Sequence, residues 1–388
     1  MTIRERKDVG TVGDTLEAVR RLAPTIGKRA AEVESARRLP RDLLDELAAA
    51  GCFRVLTPTS HGGLGADLPT AMRIFEALAR ADASVGWTVM IGGTSWIDLV
   101  GLPRATFDHL FATGRDVIFA GAFSPSGSIA AIDEGYRVTG RWSFASGCEH
   151  ADWLFGNNVE RVDDGVAHLR MAVFSPDQIV IEDTWNVSGL SGTGSHHFRV
   201  DELFVRPEWT FVPLVDEPCI DAVVARIPPP ALLSLAIGSI AVGIGQGALD
   251  DIIALASRKT PLLAQGILAR SGYFQSELAN ADAALRAARA LLHESAELVW
   301  SATAAGSPLS LEQRARTRAA AVWATNRAAD VVTTAYRAGG GSSVYAASAL
   351  QRRLRDVNAL TQHFLVRGDT QTTAGAILAG EDVSVAVF

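Results

Sequence analysis

Cysteine is scarce in this chain, with three in 388 residues at Cys52, Cys148 and Cys219. They lie far apart without C-x-x-C spacing, which excludes a disulfide framework and points to a reducing cytoplasm. No H-E-x-x-H or Cys/His zinc spacing occurs, so no metal is expected. His196 and His197 are adjacent on an alternating run, face opposite ways and make a poor ligand pair. A P-loop is missing, and no G-x-S-x-G turn surrounds a serine, which removes the central motif of a hydrolase. No G-x-G-x-x-G follows the first strand, so a nicotinamide nucleotide finds no Rossmann cradle. Positive charge is in deficit: the net charge is −7 without a basic stripe, which speaks against nucleic acid as a partner. Residues 1–10 are charged and polar without an apolar core, so no secretory signal is expected. The most apolar run, Ala231 to Gly245, is short for a membrane span and rich in Gly, Ala and Ser. A tightly packed buried helix is the expectation there.

What is present is apolar bulk. Hydrophobic residues make up 48% and charged residues 20% of the chain, enough for a large core in several layers. Three zones appear. Residues 1–115 read as helices, with Leu16, Val19, Leu22 and Ile26 at helical spacing and Pro40 at a helix start. Further helices are expected from Pro69 to Arg80 and from about Ser84 to Val100. Residues 116–225 carry short β-rich runs around Val117, Tyr136, Trp153, His168 and His197, separated by turn residues. A small barrel or sandwich is expected. Residues 226–388 return to helical period, with helices over about 230–256, 262–304, 309–338 and 347–367, which predicts an antiparallel four-helix bundle. The fold class is therefore α+β.

Within the β zone, Tyr136 to Gly147 is the most informative stretch. An alternating strand enters a Ser-Gly corner, Arg141-Trp142-Ser143-Phe144-Ala145-Ser146-Gly147. Such a corner offers a small hydroxyl and free backbone N–H groups beside two large rings. A flat ring with polar edges, such as a flavin, needs a place of this kind. Trp142 and Phe144 alternate around Ser143 and are expected to share one strand face, covering that ring or packing the core. Phe123-Ser124-Pro125-Ser126-Gly127-Ser128 reads as a small-residue loop after a strand, able to present N–H groups to the ring's polar edge.

The helix–sheet–helix order resembles the acyl-CoA dehydrogenase fold over nearly the whole chain. Pro58 through Gly65 is similar to that family's Pro-x-x-x-Gly-Gly-x-Gly turn. Ala79 to Ser84 is similar to its acidic-Ala-Ser helix junction. Gly339-Gly340-Gly341 with Arg352 and Arg355-Asp356 is similar to its late signature. The dehydrogenases carry a glutamate base after the Arg-Asp pair. Here that position is Phe364, or Gly368 if one turn is inserted, and neither is a carboxylate. General base catalysis is worth about 10²–10⁴-fold, so its loss would be severe.

Arg355 to His363 instead resembles the oxygenase components of two-component flavin monooxygenases, as do Ser84-Val85-Gly86-Trp87 and the Ser-Gly corner. This resemblance implies a homotetramer that takes reduced flavin (FMNH2 or FADH2) from a separate NAD(P)H-dependent reductase. With O₂ it would oxygenate a small organic substrate, aromatic or nitrogen-containing, through a C4a-hydroperoxide. It implies Ser146 and His363 as catalytic groups, and Trp87, Thr94 and Trp96 at the substrate. Phe123, Ser124, Ser126, Trp142 and Phe144 would line the flavin. Arg258, Gln275, Gly339 and Gly340 would serve its phosphate end. Thr94 stands where phenol-hydroxylating members have a histidine, which lowers the expectation of phenol chemistry. Two other readings stay open: a dehydrogenase or oxidase with a displaced base at Asp369, and a non-catalytic flavin-fold binding protein.

Overall fold

A computed structural model describes residues 10–161 and 167–383; apart from Gly10, the charged N-terminal stretch lies outside them. Five helices come first: α1 (Val12–Ala36), α2 (Arg41–Ala49), α3 (Leu68–Ala81), α4 (Ala83–Thr94) and α5 (Arg104–Leu110). Their starts have local causes. Thr11 and Asp14 form a reciprocal capping box on α1. Asp67 caps α3 by accepting from the Thr70 N–H at 2.7 Å. Asp82 ends α3 in an extended conformation and caps α4 through the Val85 N–H at 3.0 Å, so one residue turns the chain between two helices. In the Pro58–Gly65 turn, a Cβ on Gly63 would lie 1.9 Å from the Thr57 carbonyl oxygen, so only glycine fits. Helix α4 stops at Thr94 instead of continuing to Val100. Gly92 and Gly93 lie against Phe53 there, and the chain tightens into a 3₁₀ turn over Ser95–Leu99.

Strands β1 (Phe119–Ile132), β2 (Gly135–Trp142), β3 (Trp153–Arg161), β4 (Ala167–Phe174), β5 (Val180–Glu182), β6 (His197–Val205) and β7 (Thr210–Phe211) follow. They form one seven-stranded sheet in the order β5-β6-β2-β1-β3-β4-β7. The pair β1–β3 is parallel and the others are antiparallel. The expected barrel or sandwich is thus realised as a single open, mixed sheet. Its edge strands β5 and β7, three and two residues long, are too short to close on each other. The expected loop at Phe123–Ser128 is also absent. Those residues lie within β1, where the register slips between Ala122 and Gly127. The bulge absorbs the extra residues and leaves Ser124, Pro125 and Ser126 exposed.

The C-terminal part has three long helices, α6 (Pro229–Ala256), α7 (Gly272–Ala304) and α8 (Leu311–Gly339), and two short ones, α9 (Ala349–Leu360) and α10 (Thr370–Leu378). Helix α6 packs against both α3 and α8. It is long and apolar enough to cross a membrane, but 89% of its most apolar window is buried inside the protein. Side chains such as Ile237, Ile240 and Ile244 are almost fully buried, each worth about 1.5–3 kcal/mol. Helix α7 begins ten residues later than expected, at Gly272 rather than 262, with Ser271 as its cap. Leu262 and Leu263, which suggested an earlier start, are exposed, and Leu263 has a φ of 65°. The expected fourth helix, 347–367, ends at Leu360. The side chains of Asn358 and Thr361 bond to the carbonyls of Leu354 and Asn358, and tight turns carry the chain through His363 to α10.

Two cores result. One runs through both helical parts and onto one face of the sheet, and includes Phe53, Trp87, Phe155, Val173, Ile240 and Val357. The other lies on the opposite face of the sheet around Trp142, Phe174 and Phe198.

Candidate functional site

Ser146 sits past the end of β2, where the chain leaves the sheet. Phe144 takes a left-handed φ of 65°, which ends the strand's alternation. Trp142 and Phe144 therefore do not share a face. Trp142 is fully buried, stacks on Phe198 at 4.9 Å and donates its indole N–H to the Asn157 carbonyl at 2.8 Å. Phe144 is 69% exposed and meets the edge of Trp185, at 6.0 Å. Several of the corner's N–H groups are already spent. Ala145, Ser146, Gly147 and Cys148 donate to the carbonyls of His196, Phe144, Thr193 and Ala145. From Ala145 onward the corner is folded onto itself and onto the segment before β6, and the polar group it keeps there is the Ser146 hydroxyl.

That hydroxyl is buried and well connected. Trp87, on α4, donates its indole N–H to Ser146 Oγ at 3.0 Å. Ser146 Oγ lies 2.7 Å from Ser195 Oγ, and Ser195 Oγ lies 2.7 Å from Thr193 Oγ1. The Thr193 hydroxyl donates to the Leu190 carbonyl at 2.8 Å. Beside the corner, the buried Thr88 hydroxyl has no protein partner, and its methyl group lies 3.4 Å from where a Cβ on Gly147 would be.

Trp87 also brings His363 into the group. The two rings meet edge to face with centroids 5.6 Å apart. His363 lies in the turn after α9, half-buried, with the exposed Phe364 ring 4.9 Å away. Desolvation, with the Arg318 cation second, pushes its imidazole down to about 4. It is therefore neutral near pH 7. Nδ1 accepts from the Leu365 N–H at 3.3 Å, which assigns the ring proton to Nε2. Ser146, Trp87 and His363, from three elements, thus form one cluster.

The other expected residues fall elsewhere. Thr94 is buried and spends its hydroxyl on the Met90 carbonyl at 2.7 Å. Trp96 is fully buried, packs near Phe107 at 6.1 Å and leaves its indole nitrogen without a partner. Phe123 is half-buried and its carbonyl accepts from Asn157, while Ser124 and Ser126 pair with each other at 3.1 Å on the surface. Arg258 and Gln275 are exposed, and Gln275 donates to the Ala269 carbonyl. Asp369 is held by Arg367, which keeps its carboxyl below the usual range, so it makes a weak base.

Three residues were not anticipated. Thr193 and Ser195 belong to the hydroxyl chain, and their Ser-Gly-Thr-Gly-Ser context in the sequence resembles an ordinary loop. Lys259, next to Arg258, is half-buried; its ammonium donates to the Gly339 carbonyl and to Ser342 Oγ at 3.0 Å. Gly340 has a φ of 51°, and a Cβ there would meet only the Lys259 ammonium, at 3.5 Å. A cation beside an open glycine suits a phosphate. An unpaired buried hydroxyl, an exposed aromatic ring and an N–H-anchored serine suit a flat polar ring. The donor set therefore fits a flavin.

Comparison with known proteins agrees with this chemistry. Residues 14–101 match the acyl-CoA dehydrogenase N-terminal domain and residues 235–367 its C-terminal domain. An indole-3-acetate monooxygenase from Pseudomonas putida is 32% identical over 357 residues, covering 91% of this chain and 90% of that protein. The oxygenase subunit of a flavin-dependent monooxygenase from Rhodococcus jostii (strain RHA1) is 29% identical over 352 residues, covering 88% of this chain and 92% of its own length. The crystal structure of 3-HSA hydroxylase from Rhodococcus sp. RHA1 superposes with a TM-score of 0.89 at 26% identity, covering 96% of this chain and 98% of that one.

Proposed function

Since the chain belongs to the acyl-CoA dehydrogenase family, within its flavin-dependent monooxygenase branch, we propose that it oxygenates a small, electron-rich, nitrogen-containing aromatic compound. It is an oxygenase component that works with flavin and O₂. Reduced flavin, when bound, supplies the two electrons that activate O₂. A separate NAD(P)H-dependent reductase delivers it, because this chain has no Rossmann motif. The enzyme works in the cytoplasm as a homotetramer, in keeping with the exposed Leu298, Val344 and Tyr345 on its C-terminal part.

The observation that carries this reading is the Ser146–Trp87–His363 cluster. Ser146 would hold the central ring of the flavin through its hydroxyl. Trp87 fixes that hydroxyl in place. His363, neutral, would offer its Nε2 proton to an oxygen atom. Phe144 would cover the ring, and Lys259 with Gly340 would bind phosphate. Thr94 has its hydroxyl spent on the helix backbone, so no base is available at that position to deprotonate a phenol. A substrate activated by its own ring nitrogen, such as an indole, needs none.

Turnover with reduced flavin, ¹⁸O₂ and a panel of indoles and phenols tests this. The expected result is one ¹⁸O atom in an indole product and little phenol hydroxylation. Efficient hydroxylation of phenols with no indole product would overturn the substrate assignment.

A further inference from the structure

The hydroxyl chain beneath Ser146 has a direction. The Leu190 carbonyl can only accept, so Thr193 spends its single hydroxyl proton there. The same carbonyl also takes the Thr193 N–H and the Trp185 indole N–H, each at 3.1 Å, but the 2.8 Å contact between two oxygens needs a proton between them, and only the Thr193 hydroxyl has one to supply. With its proton committed, Thr193 can only accept from Ser195 across 2.7 Å. Ser195 in turn can only accept from Ser146 across 2.7 Å. One Ser146 lone pair receives the Trp87 indole N–H. Ser146 thus has no proton left to give and one lone pair left to offer. This is the one assignment that satisfies every bond together, and burial makes each bond costly to leave unmade.

We infer that Thr193 and Ser195 are positioning residues that set Ser146 as a pure acceptor, and so make the site select reduced over oxidised flavin. The inference rests on the proposed place of the flavin ring at Ser146. The chemistry of the ring does the rest: N5 carries a hydrogen in reduced flavin and a bare lone pair in oxidised flavin. An acceptor welcomes the first and repels the second. A serine able to rotate its proton would bind either. An oxygenase fed by a separate reductase gains from this preference, since spent oxidised flavin leaves and fresh reduced flavin enters.

The test is the ratio of dissociation constants for oxidised and dithionite-reduced flavin, measured anaerobically on the full chain with FMN and with FAD. In Ser195→Ala the Ser146 proton is released to point outward. Oxidised flavin should then bind about two- to tenfold tighter while reduced flavin changes little, as one neutral hydrogen bond is worth that much. Thr193→Val should shift the ratio the same way through the chain, and Thr193→Ser, which keeps the hydroxyl, should restore it. Ser146→Ala should weaken the reduced form selectively. If Ser146→Ala shifts the ratio but Ser195→Ala and Thr193→Val, both folded by circular dichroism, leave it unchanged, the directed chain is wrong. If Ser146→Ala changes neither constant, the flavin ring is not at Ser146 and the underlying placement falls instead.

Discussion

Replacing Asp356 with asparagine should flatten the pH dependence of folding stability. Asp356 lies on α9, 5% exposed, and its Oδ1 accepts from the Leu190 N–H at 2.7 Å. Burial, then the neighbouring Asp82 charge, raises its carboxyl to about 7. An aspartate in the unfolded chain titrates near about 3.9. The folded state therefore holds the proton more tightly between these values. The stability so gained is complete below the unfolded value and is lost as pH rises through the folded one. Each tenfold in proton affinity is worth about 1.4 kcal/mol, which caps the effect at about 4 kcal/mol. Of that, about 2–3 kcal/mol falls between pH 5 and pH 8. His363 works in the opposite sense over the same window, because its depressed value costs stability as pH falls below about 6.5. It is common to both proteins, so the difference between wild type and Asp356→Asn isolates the carboxyl. The asparagine oxygen keeps the bond to Leu190 N–H. Urea unfolding at pH 5 and pH 8 should show the wild type losing about 2–3 kcal/mol relative to the variant. A difference that stays constant across the two pH values would refute the assignment of a buried, proton-holding Asp356.

Trp87→Phe keeps an aromatic ring but removes the indole N–H and part of the buried ring, leaving Ser146 one donor short. Stability should fall by about 1 kcal/mol or more in urea unfolding, and reduced flavin should bind more weakly; no change in either would remove Trp87 from the site. The His363 imidazole should stay neutral in an NMR titration from pH 8 down to about pH 5, whereas a histidine in an unfolded peptide titrates near about 6.5; a midpoint above 6 would contradict the desolvated setting. Lys259→Met should weaken reduced FMN about tenfold or more while leaving reduced riboflavin, which has no phosphate, unchanged. Equal losses for both ligands would mean that Lys259 only braces Gly339.

Much of the fold was legible because periodicity reports burial directly. The helical spacing of Leu16, Val19 and Ile26 and the alternation at Tyr136–Trp142 survive in α1 and β2. What failed was local. The helix expected to run to 367 ends at Leu360, where the Thr361 hydroxyl takes the Asn358 carbonyl and the next N–H groups tighten onto Ala359 and Leu360, a choice that hydrophobic pattern does not record. Phe123–Ser128 reads as a loop by composition, yet the β3 edge keeps it in the sheet as a bulge. The corner was found through its Ser-Gly turn, but its Ala145 and Gly147 N–H groups are taken by the His196 and Thr193 carbonyls, nearly fifty residues away. Ser146 and Ser195 are likewise joined only by the fold. Arg258 and Lys259 are chemically similar neighbours, and which of them reaches Gly339 depends on the path of the chain after α6.

The Trp87–Ser146 bond has a consequence for timing. Trp87 belongs to the core that runs through the helices and onto one face of the sheet, whereas Ala145 and Cys148 on either side of Ser146 belong to the core on the other face. The bond thus ties the Ser-Gly corner of one cluster to a helix of the other. A local loosening of the corner would break it without exposing either interior. The rate at which the Trp87 indole proton exchanges with deuterated water would therefore clock that loosening, and with it the opening through which a flat ligand could slip in or out.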